Sequence, residues 1–249
     1  MSPDLELALR LADAADAISL PRFRSGLPIE TKPDLTPVTE ADRAVESELR
    51  RMIAAERTED GILGEEHGGS PGGGRRWFLD PIDGTRNYAR GIPIWATLIA
   101  LEESEAVRLG VVSAPALGRR WWAERGSGAY ASGGPARVST VSSVEDAVLS
   151  FPVEGGALAL ARRAWHTRGL GDFWAHMLVA EGAVDGAVDA TGLREWDLAA
   201  VQVIVEEAGG RFSDRAGGAR IDSGTAVTSN GLIHEELLAA LAEQAQAEA

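Results

Sequence analysis

The sequence predicts an α/β protein, with helical segments near both ends of the chain and strand-like segments between them. Three observations lead to this prediction. Helical apolar periodicity occurs near both ends of the chain, short apolar runs that end in carboxylates follow the first helices, and strand-like and helix-like segments alternate in the second half. The 249 residues include 45% apolar residues, enough for a sizeable core in one large domain or in two lobes.

The first predicted element is a helix that begins at Ser2-Pro3-Asp4, with Ser2 as N-cap and Pro3 as the first helical residue. Its apolar face extends to about residue 24. The proline-rich stretch from Pro28 to Pro37 interrupts helical structure and predicts a polar loop. Thr39-Glu40-Ala41-Asp42 then opens a second amphipathic helix.

Two short apolar runs that end in acids predict buried strands. Ile62-Leu63-Gly64 precedes Glu65-Glu66, and Trp77-Phe78-Leu79 precedes Asp80. The glycine-rich segment 67–74 between them predicts a mobile loop that could move over a site.

The rest of the chain predicts more strands and then an alternating second lobe. Strands are expected over 94–115 and 119–131, with a hairpin turn at Gly126 to Gly128. The Gly-, Pro- and Ser-rich segment 132–143 predicts a boundary between an N-terminal lobe, residues 1–138, and a C-terminal lobe, residues 139–249. The later elements are predicted as strands over 147–151 and 184–190 and helices over 157–165, 172–182, 196–208 and 231–247.

Charge and composition argue against several classes of function. The 24 basic and 38 acidic residues give a net charge of −14, which repels nucleic acid and anionic lipid, so an anionic substrate needs local cations or metal ions. There is no cysteine, and the four histidines show no HExxH spacing, so thiol, disulfide and zinc chemistry are not expected. No basic leader region and no apolar run of about 18–20 residues is found. We therefore expect a cytoplasmic protein with neither nucleic-acid nor membrane partners.

Acidic residues at the ends of apolar segments are the candidate site. Pro81 prevents a helix between Asp80 and Asp83 and bends the chain, so both carboxylates can face one point. Gly84 and Thr85 follow at a predicted helix start, where backbone N–H groups favour a phosphate. Carboxylate oxygens beside such a site suit Mg²⁺. In the alternative interpretation these acids merely cap or begin helices, or are solvated. The acidic segments are Glu65-Glu66, Asp80-Pro81-Ile82-Asp83-Gly84-Thr85 and Trp196-Asp197.

These segments resemble the inositol monophosphatase family of metal-dependent phosphomonoesterases, and the likeness extends from the first helix to Ala208-Gly209-Gly210. The resemblance implies a layered αβαβα fold, usually in a homodimer, with the site between the two lobes. The motifs that carry it are Gly64-Glu65-Glu66, Trp77-Phe78-Leu79-Asp80-Pro81-Ile82-Asp83-Gly84-Thr85-Arg86-Asn87-Tyr88 and Trp196-Asp197-Leu198-Ala199-Ala200.

The resemblance also implies residue roles. Thr85, paired with Asp42, would orient the attacking water, and Glu65 would help to accept its proton. The amides of Gly84 and Thr85 would bind the phosphate. Asp42 keeps a second interpretation, because Thr39-x-x-Asp42 also fits a helix capping box. The implied ligands of two or three Mg²⁺ ions are Glu65, Asp80, the backbone carbonyl of Ile82, Asp83 and Asp197.

The second lobe departs from inositol phosphatases in two places. Asp172 stands where inositol-type members carry a small or hydroxyl residue, and the family's polyol-binding glutamate falls here on Ala190. The acids Asp172, Asp189 and Glu195 favour a cationic substrate, because a carboxylate attracts an ammonium or imidazolium group. The alternative is that Asp172 only caps the helix it opens.

Together with segments 31–46 and 111–117, these features resemble the histidinol-phosphate phosphatase branch of the family. The predicted reaction is Mg²⁺-dependent hydrolysis of L-histidinol phosphate, a small phosphorylated metabolite. Alternatives are an inositol monophosphatase, a broad-specificity phosphatase, a nucleotide 3′-phosphatase and a non-catalytic acidic scaffold. An intact set of acids at positions 65, 80, 83 and 197 argues against the scaffold. The candidate substrate-binding residues are Gly84, Thr85, Asp83, Arg168, Asp172, Asp189 and Asp197.

Overall fold

A computed structural model of the chain describes residues 1–25, 30–31, 37–151, 158–189 and 192–247. Two short 3₁₀ turns, Pro115–Leu117 and Val144–Asp146, accompany the regular elements. The helices are α1 Pro3–Arg22, α2 Glu40–Glu56, α3 Thr85–Arg90, α4 Leu158–Arg163, α5 Asp172–Ala180, α6 Glu195–Glu207 and α7 His234–Ala247. The strands are β1 Glu30–Thr31, β2 Pro37–Val38, β3 Gly61–Gly64, β4 Gly68–Ser70, β5 Arg75–Asp83, β6 Ala96–Glu103, β7 Ala106–Ala114, β8 Arg119–Glu124, β9 Ala129–Ala131, β10 Gly134–Pro135, β11 Val148–Ser150, β12 His166–Arg168, β13 Gly186–Asp189, β14 Arg211–Ser213 and β15 Ala226–Ser229.

Two mixed sheets form the framework. The larger has eight strands in the order β10-β9-β8-β7-β6-β5-β3-β4, antiparallel except for the parallel pair of β3 and β5. The smaller has five strands in the order β12-β11-β13-β15-β14, with β11 parallel to both β12 and β13. Strands β1 and β2 form a separate antiparallel pair.

The helices cover both sheets in five layers. Alternate residues of β5 face opposite sides: Trp77 and Leu79 pack with α1 and α2, whereas Phe78 packs with α5 and α6. The other side of α5 and α6 lies on the five-stranded sheet, through residues such as Ala187 and Phe212. Helices α4 and α7 cover the outer face of that sheet, where Leu237 packs. The predicted αβαβα layering is confirmed.

Helix α6 contacts strands of both sheets, namely β5 to β9 on one side and β14 and β15 on the other. The eight-stranded sheet is built from residues 61–135 and the five-stranded sheet from residues 148–229. A division of the chain at residue 138 stays a prediction.

The predicted helices and the long strands occur where periodicity placed them, and Gly126 and Gly128 form the turn between β8 and β9, both at positive φ. The glycine-rich segment 67–74 differs from its prediction as a loop, because Gly68–Ser70 pairs with β3 as strand β4. The strand was not predicted because two of its three residues are glycines, which give no apolar pattern. The predicted polar loop from Pro28 to Pro37 lies largely outside the described residues.

Three strands of the smaller sheet were not predicted: β12, β14 and β15. None of the three lies in an apolar run, whereas the equally short β11 lies within the apolar segment from Ala147 to Phe151. Among the helices of the described residues, none is long and apolar enough to cross a membrane.

Candidate active site

Three carboxylates meet where β5 ends and α6 begins. Asp80, Asp83 and Asp197 each direct one oxygen so that the three atoms lie within 4.8 Å of one another. Asp80 is only 2% exposed, and its Oδ1 atom has no hydrogen-bond partner among the described residues. A buried carboxylate oxygen without a donor is costly unless a cation contacts it. The donor set therefore fits a hard metal ion.

A bulge in β5 brings two acids of one strand into this group. Asp80 pairs with Leu98 of β6 and Asp83 pairs with Ala96, so one extra residue is accommodated between them. Pro81 lies within the bulge, where its missing N–H costs no ladder bond, and its carbonyl accepts a hydrogen bond from Thr97 Oγ1 at 2.8 Å. The strand therefore continues through Pro81 to Asp83, and the bulge supplies the irregularity that the sequence predicted there.

The three carboxylates hold protons more tightly than free aspartates do. Loss of solvation raises the pKa of Asp80 well above its usual range, and the charges of Glu65 and Asp83 add to the effect. Loss of solvation, followed by the charges of Asp172 and Asp197, likewise raises the pKa of Asp83. The pKa of Asp197 rises to about 6, again chiefly through loss of solvation. A bound cation would reverse these shifts.

Asp197 has two functions in the structure. Its Oδ2 atom accepts a hydrogen bond from the backbone N–H of Arg194 at 2.6 Å, so it caps the start of α6. The same side chain belongs to the three-carboxylate group. The helix-start interpretation and the site interpretation are therefore compatible.

Glu65 lies beside this group without being part of it. It follows β3, which runs parallel to β5 with Gly64 opposite Leu79, and its backbone N–H donates to Leu79 at 3.2 Å. The side chain is half-buried, and its charge raises the pKa of Asp80. Parallel pairing thus delivers the acids that end two neighbouring strands to the same edge of the sheet.

Thr85 and Asp42 are also neighbours. The Thr85 hydroxyl donates to the Ile82 carbonyl at 2.9 Å and lies 3.5 Å from Asp42 Oδ1. Asp42 is fully buried, and its other oxygen accepts from the backbone N–H and the hydroxyl of Thr39 at 2.9 and 2.6 Å. Thr39 and Asp42 therefore form the capping box of α2, and this anchoring leaves Oδ1 directed toward Thr85.

Asp172 approaches the group from the second half of the chain. Its Oδ2 atom accepts from Asn87 Nδ2 at 3.2 Å and lies 3.4 Å from the point where a Cβ on Gly84 would be. The backbone of Asp172 has φ +56°, an uncommon value for a residue other than glycine. The N-cap of α5 is Gly171, which has no side chain, and the carboxylate that accepts from the first turn of this helix is that of Asp83. The capping alternative for Asp172 thus lacks its hydrogen bond.

Asp189, at the end of β13, lies within electrostatic range of the acidic group. Loss of solvation is the main cause that raises the pKa of Asp83, Asp172 and Asp197, and the charge of Asp189 adds to it. Ala190, on which the expected loss of a polyol-binding acid was based, lies outside the described residues. The residue before it does carry a carboxylate at this edge of the sheet. The end of β13 therefore carries a carboxylate, that of Asp189, although the family's glutamate position falls on Ala190.

Arg168 is not brought to the site by any described contact. It lies exposed on the edge strand β12, and its guanidinium donates to the neighbouring Thr167 carbonyl at 3.2 Å. Glu195 is a half-buried first-turn residue of α6 with no described bond to the acidic group. Both residues were named as candidates because they are close in sequence to Asp172 and Asp197.

Sequence reasoning missed three contributors to this region. Asn87 ties the carbonyl of Ile94 to Asp172 through its amide, at 2.8 and 3.2 Å. The backbone N–H of Phe173 donates to Asp83 Oδ2 at 2.6 Å. Loss of solvation and the charge of Asp189 raise the pKa of Asp172, and the positive charge of Arg86, which is exposed, opposes that rise. Asn87 and Arg86 both stand inside the recognised motif, which was the available signal.

The sequence model of the inositol monophosphatase family matches residues 1–247. The chain belongs to the inositol monophosphatase family. It is therefore a phosphoric monoester hydrolase of a metal-dependent family, and its acidic group is the part of the described structure that could bind a metal.

Individual members of the family are similar to this chain in sequence and in structure. The chain is 50% identical over 254 residues to a histidinol-phosphatase of Mycobacterium tuberculosis, covering 96% of this chain and 97% of the relative. It is 48% identical over 254 residues to a histidinol-phosphatase of Streptomyces coelicolor, covering 94% and 95%. The structure resembles the IMPase of Thermotoga maritima with a TM-score of 0.91 and 31% identity, over 100% of both chains. A small phosphorylated substrate is consistent with these similarities.

Proposed function

We propose that the protein hydrolyses L-histidinol phosphate to L-histidinol and inorganic phosphate in a Mg²⁺-dependent reaction. One observation carries the substrate assignment: Asp172 lies over Gly84, beside the three-carboxylate group, and Asp189 acts on it from a second element. Two carboxylates next to a phosphoester site attract the ammonium group of an amine-bearing phosphate. The names of the two histidinol-phosphatases described above support the same substrate.

The metal assignment follows from the chemistry of the donors. Asp80, Asp83 and Asp197 offer only hard oxygen ligands, and one buried oxygen of Asp80 has no donor. Mg²⁺ prefers such ligands and keeps open positions for water and substrate phosphate. We assign two or three ions to the site, held by Glu65, Asp80, the carbonyl of Ile82, Asp83 and Asp197. When bound, the metal lowers the pKa of the attacking water and neutralises charge on the phosphate and the leaving oxygen.

The chain's own residues orient the water that attacks phosphorus. Asp42 is fixed by its bonds to Thr39. With the Ile82 carbonyl engaged as a metal ligand, the single hydroxyl proton of Thr85 would turn from that carbonyl to Asp42 Oδ1, 3.5 Å away. The oxygen of that hydroxyl is then left to accept from the water. Glu65 is half-buried next to Asp80 and would take up the proton that the water loses.

Phosphate and leaving group would occupy adjacent parts of the acidic group. We assign the phosphate to the backbone of Gly84 and Thr85, where Gly84 has φ +81° and a Cβ would meet the Ile94 carbonyl. The alcohol and its amine would extend toward Asp172 and Asp189. Asp83 and Asp197 would contact the substrate through the metal ions.

The test is a side-by-side measurement of phosphate release with Mg²⁺ from histidinol phosphate, inositol 1-phosphate and a nucleotide 3′-phosphate. We expect kcat/KM for histidinol phosphate to exceed the others by tenfold or more, about 1.4 kcal/mol of transition-state discrimination. Faster hydrolysis of inositol 1-phosphate would contradict the substrate assignment and leave the metal assignment intact. Undiminished activity after complete chelation would contradict the metal assignment.

A second candidate is an inositol monophosphatase or a broad-specificity phosphatase of the same family. The observation in its favour is Asp189 at the end of β13, because a carboxylate there also accepts hydrogen bonds from sugar hydroxyls. The same three-substrate comparison separates the candidates. We also propose that the protein is a homodimer, as the family resemblance implies, and light scattering of the eluted protein would measure twice the 26.3 kDa chain mass.

A further inference from the structure

A buried histidine lies behind one wall of the substrate region. His176 is on α5, one turn after Asp172, and is only 1% exposed. Its Nδ1 atom lies 2.8 Å from the hydroxyl of Thr228 on β15, and its Nε2 atom lies 3.4 Å from Asp189 Oδ2 on β13. One imidazole thus joins three elements and contacts a carboxylate that lies within electrostatic range of the acidic group.

The direction of both hydrogen bonds follows from the partners. An ionised carboxylate only accepts, so Nε2 of a neutral His176 must carry the proton that is donated to Asp189. Nδ1 is then an acceptor and receives the hydroxyl proton of Thr228, which is fully buried. A one-way chain of donors therefore runs from Thr228 through His176 to Asp189.

Asp189 needs such an anchor because like charges surround it. Its charge acts on Asp83, Asp172 and Asp197, and its side chain is 13% exposed. Repulsion favours rotation of this carboxylate away from the others and toward water. A donor held rigidly in the core opposes that rotation, and an ionised acceptor strengthens the bond.

We propose that His176 is a positioning residue that holds Asp189 beside Asp172 and thereby sets the preference for phosphates that carry an amine. The inference rests on the proposed function, because it assumes that these two carboxylates receive the substrate's ammonium group. His176 itself does not touch the substrate. Its loss would release Asp189, weaken the binding of the amine and leave the metal and phosphate positions unchanged.

The chain contains a matched control for this histidine. His234 is fully buried, and its two ring nitrogens lie 2.8 and 2.9 Å from the hydroxyls of Ser213 and Ser229 in the same five-stranded sheet. None of these partners is an acid. His176→Leu and His234→Leu each remove two hydrogen bonds from a buried imidazole, yet only the first removes a donor from Asp189.

The experiment compares kcat/KM for histidinol phosphate with kcat/KM for glycerol 2-phosphate, an ester without a cation. We expect His176→Leu to lower the ratio about tenfold, mainly through KM of histidinol phosphate, as expected for a displaced ionic contact. His176→Gln, whose amide keeps a donor, should recover part of the ratio. His234→Leu should leave the ratio unchanged even if it lowers the melting temperature.

Thr228→Val provides a second route if His176→Leu does not fold, because it keeps the shape of the side chain and removes the hydroxyl that orients the imidazole. An unchanged ratio in the folded variants, with a preference for histidinol phosphate in the wild type, would overturn the role of His176 and leave the proposed function standing. A wild-type protein without that preference would overturn both.

Discussion

At the scale of single residues, the acidic group stores unfavourable electrostatic energy in the absence of a cation. Asp197 illustrates this, since its pKa is raised from 3.8 to about 6 while its second role is to cap α6. The cap favours the charged form, and loss of solvation outweighs it. Burial beside the other carboxylates therefore weakens the stabilisation that a charged Asp197 would give to the start of α6.

This shift predicts how pH acts on the metal-free protein. The folded state binds the Asp197 proton more tightly than the unfolded state, so the resulting stabilisation is complete below pH 3.8 and is lost as pH rises through about 6. Metal binding requires the carboxylate and must expel that proton. Calorimetric titration with Mg²⁺ near pH 6 in two buffers of different ionisation enthalpy should reveal proton release. Equal heats in both buffers at pH 6 would contradict the prediction.

At the scale of elements, a buried acid on α2 anchors the turn that carries Glu65. The Glu46 carboxylate is fully buried and accepts from the backbone N–H groups of Glu66 and His67 at 2.7 and 3.1 Å, and from Arg50 at 2.7 Å. Gly64, at the end of β3, leaves room for this carboxylate, because a Cβ at Gly64 would collide with it. Helix α2 and strand β3 therefore meet through one side chain and one glycine.

Gly64→Ala should destabilise the protein by about 1–3 kcal/mol, the usual cost of overpacking a fixed core. The carboxylate of Glu46 has to move, and its three hydrogen bonds are strained or lost. The denaturant midpoint of the metal-free protein measures the effect. Gly69→Ala in the adjacent β4 is the control, since a Cβ there meets nothing closer than 3.5 Å. Equal midpoints for the two variants would show that Glu46 yields without cost.

Elements also show how far sequence patterns reach. The helices and β5 to β8 were predictable because each carries enough apolar residues for a period of 3.6 or 2 to be visible. Strand β4 was not predicted because it consists largely of glycine, and β12, β14 and β15 were not predicted because they lie outside apolar runs. Arg168 was grouped with the site because it precedes Asp172 in sequence, yet it lies on an edge strand and points to a local carbonyl.

At the scale of the whole molecule, the site joins acids from elements that are far apart in the sequence. Asp80 and Asp83 belong to the larger sheet, Asp197 belongs to α6, which lies between the sheets, and Asp189 belongs to the smaller sheet. Metal binding should therefore stabilise the entire αβαβα assembly.

Mg²⁺ at about 100 times its Kd should add ~2.7 kcal/mol to the free energy of unfolding and raise the melting temperature accordingly. Asp83→Asn should abolish this rise and reduce kcat by more than about a hundredfold, because a ligand is lost. The same variant should fold, since its amide oxygen still accepts from Phe173 and one repelling charge is removed. Thermal scans with chelator and with Mg²⁺ measure both effects; unfolding of Asp83→Asn in chelator would contradict the assignment.

The family resemblance implied the layered fold, and the sequence by itself determined the helices, the long strands and the acids of the N-terminal motifs. This was possible because Asp80, Asp83 and Thr85 lie within six positions, and because apolar periodicity is a local property. Only the tertiary structure decided where the second-half candidates lie: the Phe173 amide reaches Asp83 across 90 positions, Asp172 approaches the same group, and no described contact brings Arg168 to it. The physical reason is that the direction of a side chain at a strand or helix end depends on how the sheets and α5 and α6 pack, and no local pattern encodes that packing.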